Sequence, residues 1–408
     1  MTLAEAPLVL LLVGLTAYAV LGGADFGAAF WQLGRSRDAR TEARRDHAYR
    51  AMGPVWEANH VWLVFVLALC WTAYPTVFAS IFSTLALPLF VAAVGIVLRG
   101  TAYAVHAGTA REIERRAVDT VFSASSILTP FALGTAIGAI ASGRVPVGNA
   151  EGDLVTSWVN PTSFAVGTLA VVTGPYLAAV YLAGDAARAG RGDLVAAFRR
   201  RALAAGAVAG AVAVAALVVV SLDTERLGRA LFEWPAVAAV AASAAAGLAA
   251  LELVRRSRFE PARYVASAAV ASIVAGWALA QAPELLPGLT VAEAAAERPV
   301  LVATIVAVVL GGVVLVPSLV LLFGLVLRGR FDREPTPVEA EIPPPTPTRH
   351  GRPLGTVTLL ALAIALPLTL LADGGALQAV GVVALLAFLA LASVTIGAAA
   401  AKAAASDD

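Results

Sequence analysis

The chain has 408 residues, of which 59% are hydrophobic and 14% charged, with a mean hydropathy of +0.82. Soluble domains average about 25% charged residues, so this balance excludes an ordinary soluble enzyme, a disordered chain and a nucleic-acid-binding protein. The net charge of +1 says nothing about partners, and a single cysteine, Cys70, excludes a disulfide framework and a thiolate metal cluster.

A membrane-spanning helix needs about 20 mostly apolar residues. Eleven stretches qualify, at 6–31, 55–73, 76–98, 119–142, 162–183, 202–221, 234–254, 262–281, 299–327, 354–372 and 375–400. The first lacks a basic n-region and a small-residue cleavage site, and reads as a retained span rather than a signal peptide. The runs are continuously apolar instead of alternating, which rules out a transmembrane barrel. The expected fold is therefore an all-α polytopic membrane protein. Loop charge tests the span assignment, because basic residues concentrate on the cytoplasmic side. Of the 29 basic residues, 25 fall in alternate loops or the tail, and only Arg144, Arg226, Arg229 and Arg298 fall on the other side. This predicts an external N-terminus and a cytoplasmic C-terminus.

Small residues abound in the spans, and Gly134 with Gly138 forms a G-x-x-x-G face suited to close helix packing. Residues 328–353 form a cytoplasmic linker with seven prolines between 335 and 353, a composition that favours extended polyproline II. The linker separates a body, expected to divide into 1–142 and 143–327, from a two-helix hairpin and tail at 354–408.

Ionisable groups in hydrocarbon are costly unless paired or wetted, so each is a functional candidate. Asp25 lies late in the first span among Gly22, Gly23 and Gly27, which allow a second helix or a water to approach the backbone. Glu57 opens the second span within Pro54-Val55-Trp56-Glu57-Ala58-Asn59-His60-Val61-Trp62-Leu63, and His60 shares its helical face. Arg99 closes the third expected span, where the simplest reading is a cation snorkelling to the interface. Glu57 could equally offset a helix dipole, and His60 alone reads as a packed interfacial histidine. All four lie toward the predicted cytoplasmic side and could meet there. Haem iron needs His, Met, Cys or Tyr. The four histidines, His47, His60, His106 and His350, all lie in or near cytoplasmic segments, so neither a bis-histidine haem nor a bound transition metal is expected in this chain.

These segments, in this order, resemble subunit II of the cytochrome bd-type quinol oxidases. The resemblance rests on Gly23-Ala24-Asp25-Phe26-Gly27, the 54–63 run and Arg99-Gly100. It continues through Thr129-Pro130-Phe131, Asn160-Pro161 with Gly167, and Tyr181-Leu182, and it spans roughly residues 1–325. It implies two four-helix bundles plus peripheral helices in a prokaryotic cell membrane. It also implies a companion subunit I that carries the b- and d-type haems, oxidises quinol and reduces oxygen. On this resemblance Glu57 lies on a cytoplasmic proton path, Asp25 and Arg99 match polar positions near the subunit interface, and the chain binds no haem itself. The expectation drawn from these residues is that Asp25 continues the proton path or orients water, with His60 beside it, while Arg99, Asn59, Trp56, Gly23 and Gly27 support it. A structural quinone or lipid, the quinol type and a small accessory subunit are left open. Two features depart from the family pattern: position 57 is often aspartate there, and the 354–400 hairpin exceeds the usual length. A secondary transporter and a purely structural membrane partner are the competing readings.

Overall fold

The computed structural model describes residues 2–32, 39–52, 56–106 and 112–327, with five isolated helical positions at 360, 380, 383, 384 and 387. The chain divides into one unit of residues 1–106 with 111–331 and another of 107–110 with 332–408. The expected linker and the spans at 354–372 and 375–400 lie outside the described residues, apart from those five positions.

Within the larger unit the chain is helical almost throughout. Helices α1 (Glu5–Ala17) and α2 (Gly23–Phe30) are joined by a π-helical turn, Tyr18–Gly22, and run as one span. A π turn inserts an extra residue and re-aims the side chains after it. The consequence is visible in burial: α1 buries only Pro7 and Gly14, whereas α2 buries every residue from Ala24 to Ala29. The polar helix α3 (Ala39–Met52) leads to α4 (Trp56–Ala73), α5 (Pro75–Thr84), α6 (Ala86–His106) and α7 (Glu112–Ala141). After a loop come α8 (Pro161–Arg188), α9 (Gly192–Asp223), α10 (Glu225–Ala230), α11 (Ala236–Arg255) and α12 (Phe259–Gln281). A two-stranded ribbon, β1 (Glu284–Leu286) with β2 (Leu289–Thr290), and the short α13 (Val291–Ala294) precede α14 (Arg298–Leu327).

Eight of these helices are long and apolar enough to cross a membrane, and the shorter apolar stretch Asn59–Ala73 falls in the second expected span. The third expected span, 76–98, needs correction. It is broken at Leu85 into α5 and α6, and the crossing segment is Ala86–Val105. Pro88 explains the break: it has no N–H for the carbonyl of Thr84, and its ring clashes there.

The first bundle comprises α1–α2, α4, α6 and α7, the second α8, α9, α11 and α12, with α14 peripheral against α4 and α1. The bundles meet where α2 and α7 pack on α8. Glycine makes both crossings possible. A Cβ on Gly27 would stand 2.0 Å from the backbone of Gly174, and one on Gly138 2.5 Å from Cα of Ser163. Gly134 faces Gly167 in the same way, so the G-x-x-x-G face is a backbone-to-backbone contact between α7 and α8. Asn160 caps α8, its Oδ1 accepting from the Ser163 N–H at 2.9 Å, and Pro161 occupies the first helical position. On the Arg-poor side, Arg144 grips Asp223 with two bonds of 2.8 and 2.9 Å, and Thr162 adds a third at 2.7 Å.

His47 docks α3 onto the second bundle. Its Nε2 donates to the Leu182 carbonyl at 3.1 Å, and its Nδ1 accepts from Arg191 Nη2 at 2.9 Å. A carbonyl only accepts and a guanidinium only donates, so these partners select the neutral ring. Burial holds the His47 pKa below the ordinary histidine value, against the opposing pull of the Leu182 carbonyl.

Two outcomes follow. Gly27→Leu should prevent stable assembly, Gly27→Ala should destabilise by about 1–3 kcal/mol through overpacking, and Gly210→Ala, with open space around it, should be neutral in thermal melts. A histidine held neutral contributes its full stability above its unfolded pKa of about 6.5 and loses it as the pH falls. Wild-type melting should therefore drop between pH 7.5 and 5.5 more steeply than that of His47→Gln.

Candidate functional site

The π turn and the Gly27–Gly174 crossing place Asp25 inside the first bundle, facing α6. There Arg99 Nη1 lies 2.8 Å from Asp25 Oδ2, and both side chains are 2% exposed. Arg99 Nη2 also donates to the Asp25 carbonyl at 3.3 Å, and its Nε donates to Ser126 Oγ at 3.1 Å. Ser126 in turn donates its hydroxyl hydrogen bond to the Phe122 carbonyl at 2.6 Å. The guanidinium lies over two aromatic rings, 4.8 Å from the centroid of Phe26 and 5.2 Å from that of Phe122. Arg99 thus satisfies its donors within α2 and α7 and rests on ring faces, the arrangement a buried cation needs.

The snorkelling reading of Arg99 is corrected by this burial. Because α6 starts only at Ala86 and runs to His106, Arg99 sits seven residues from its end, about 10 Å inside the helix. A cation at that depth pairs with an acid in place of reaching water.

His60 stands beside the pair. Its ring meets Phe26 edge-on at 6.0 Å and Tyr18 at 6.1 Å, so Phe26 lies in contact with both Arg99 and His60. Asn59, buried, donates from Nδ2 to the Leu21 carbonyl at 3.3 Å and pins the start of α4 to the π turn. Glu57 and Trp56 form the first turn of α4, but their side chains lie outside the described residues. The structure therefore gathers Asp25, Arg99, Asn59 and His60 at one end of the first bundle. Of the two site glycines, Gly27 is required by the helix crossing. Gly23 departs from expectation: its Cβ position is open, with Leu177 Cδ1 at 3.9 Å, and it is the Gly23 carbonyl that faces Gly174.

Several participants were not singled out in the sequence. Ser126, Phe122 and Tyr18 complete the pocket around the pair, and the run Ser123, Ser125, Ser126 and Thr129 in an apolar helix was the available signal. Gly174 and Pro175, which receive α2, had no signal beyond composition. As a haem ligand His47 does not fit, because the lone pair on Nδ1 is already used by Arg191.

Arg99→Gln should leave the Asp25 carboxylate buried without its cation and cost about 3–5 kcal/mol, measured as loss of assembled protein and a lower melting temperature. The double change Asp25→Asn with Arg99→Gln should recover much of that loss. Additive losses would show that the two groups do not act as a pair.

Comparison with known proteins was made against this geometry. A solved chain from the bd oxidase of Geobacillus thermodenitrificans is 26% identical, with a TM-score of 0.65, over 82% of this chain and 100% of that one. No curated protein matches the chain. A family model described as cytochrome bd terminal oxidase subunit II matches residues 3–326, which takes in both bundles, α14 and every residue of the buried cluster. The chain belongs to the cytochrome bd terminal oxidase subunit II family.

Proposed function

We propose that this chain is the haem-free subunit II of a bd-type quinol:oxygen oxidoreductase, stabilising a haem-bearing subunit I and giving protons a cytoplasmic route toward it. The family is that of a terminal quinol oxidase, so the chain is a subunit of an oxidase complex and a multi-pass membrane protein. The observation that carries the finer reading is the Asp25–Arg99 ion pair, sealed inside the bundle at the end where the basic loops lie. The positive-inside rule makes that end cytoplasmic, with the N-terminus outside and the C-terminus inside.

Reduction of one oxygen molecule to two waters consumes four electrons and four protons. The haems supply the oxygen chemistry when bound in the partner, and this chain's residues serve the protons. Glu57, in the first turn of α4, takes protons at the cytoplasmic entrance, and His60 one turn deeper stands next on the same helix face. Asp25, paired with Arg99, continues the route or orients water beside it. Arg99, Asn59 and Gly27 hold the helices in register around it.

The purely structural reading retains one supporting observation, the three contacts by which Arg99 ties α6 to α2 and α7 inside the bundle. Turnover separates the two. Glu57→Gln in the intact complex should slow quinol-driven oxygen consumption by about ten-fold, the factor that ~1.4 kcal/mol on a limiting proton step produces. Haem absorbance should be unchanged, and Glu57→Asp should keep most of the activity. Normal turnover in Glu57→Gln would sink the proton-path assignment and leave the structural role.

A further inference from the structure

The same end of the molecule carries a second group of cations with no carboxylate partner among the described residues. Helix α9 has 32 residues, about 48 Å at 1.5 Å per residue, while the hydrocarbon layer is about 30 Å thick. Its first ten residues, through Arg201, precede the apolar run that begins at Ala202, so Arg199, Arg200 and Arg201 stand at the polar boundary of the membrane.

These three arginines differ in what they bind. Arg199 is committed to the fold: its Nε donates to the Val254 carbonyl at 3.2 Å and its Nη2 to that of Arg255, capping the C-terminal end of α11. Arg201 is half-buried and held over two rings, 5.5 Å from the centroid of Trp31 and 5.6 Å from that of Phe198. Trp31 is itself fixed, its indole N–H donating to the Pro175 carbonyl at 2.9 Å. The one hydrogen bond Arg201 makes among the described residues is to the Ala197 carbonyl of its own helix, at 3.3 Å. Arg200 precedes it on α9, and Arg44 lies one turn before His47 on α3, whose ring is 5.6 Å from that of Phe198, the ring under Arg201. Arg44 is bonded to Thr41 of its own helix α3. Among the described residues no carboxylate pairs with Arg44, Arg200 or Arg201, although ten ion pairs, several in the neighbouring α8–α12 network, satisfy other arginines.

A guanidinium fixed on an aromatic platform, facing like charges, is electrostatically incomplete without an anion. We propose that Arg44, Arg200 and Arg201, at the junction of α3, α9 and the end of α2, bind the phosphate group of an anionic phospholipid headgroup. Phosphate matches the planar fork of arginine, and a headgroup ester meets it at the depth where α9 turns apolar. The acyl chains would lie along the apolar run that starts at Ala202. The site is distinct from the Asp25–Arg99 cluster, and it does not depend on the proton route.

The test is native mass spectrometry of the delipidated intact complex titrated with dioctanoyl phosphatidylglycerol. The double variant Arg44→Gln with Arg201→Gln should retain one phosphatidylglycerol fewer per complex than wild type at equal lipid concentration. Arg44→Gln and Arg200→Gln singly should each weaken that binding about five-fold, the factor for one interfacial cation, and they keep the proposal testable if the double variant does not assemble. Arg201→Lys, which keeps the charge but loses the planar fork, should weaken the binding less than Arg201→Gln, and dioctanoyl phosphatidylcholine should be bound equally by all variants. Unchanged phosphatidylglycerol binding in the variants would overturn the site. Displacement of the lipid by millimolar inorganic phosphate would overturn the lipid assignment and make it a free-phosphate site.

Discussion

The constraint on which the first bundle depends is the burial of one ion pair. Taking a carboxylate and a guanidinium out of water costs several kcal/mol each, and their attraction offsets this only with good geometry and further hydrogen bonds. On the cation's side Arg99 contacts α2 twice and α7 once while resting on rings from both helices, whereas the buried Asp25 carboxylate has the ion pair with Arg99 and no hydrogen bond of its own among the described residues. Three helices are thereby tied at a single point, and a shift of any of them would strand a charge. A bundle of Ala-, Val- and Leu-rich helices has many near-equivalent packings, and the pair selects one.

Backbone geometry makes that point accessible. The π turn at Tyr18–Gly22 re-aims α2, and its Leu21 carbonyl is taken by Asn59, so the irregularity that positions Asp25 also anchors α4. Gly27 and Gly174 let α2 lie directly on α8, which is how a helix of eight residues comes to be buried on all sides. The polar cluster and the glycine crossings are parts of one arrangement. The same end of the bundle carries His47, which joins the connecting helix α3 to α8 and α9, and the arginines grouped around Trp31.

Polar residues are consequently segregated by role. Charges at the Arg-poor face, such as Arg144 with Asp223 and Thr162, tie the helix ends together there. Those at the Arg-rich face divide, among the described residues, into a sealed pair, a structural cap and a group without a carboxylate partner.

The sequence by itself determined the membrane class, the all-helical character of the body, the Arg-rich side and the identity of Asp25, His60 and Arg99 as costly residues. Each of these follows from composition and period, which are local properties. It also carried the family resemblance, through the 54–63 run and the residues around Asp25. What it misjudged was the state of Arg99, because the start of α6 depends on Pro88 acting on Thr84, and that moves the charge about two turns inward. What it could not hold was the partner of each charge. Asp25 and Arg99 are 74 positions apart, and Arg201 meets Trp31 across an even longer separation. Only the tertiary structure decided that the first cation finds a carboxylate and the second does not, because pairing in a low-dielectric bundle depends on helix crossings that no local pattern encodes.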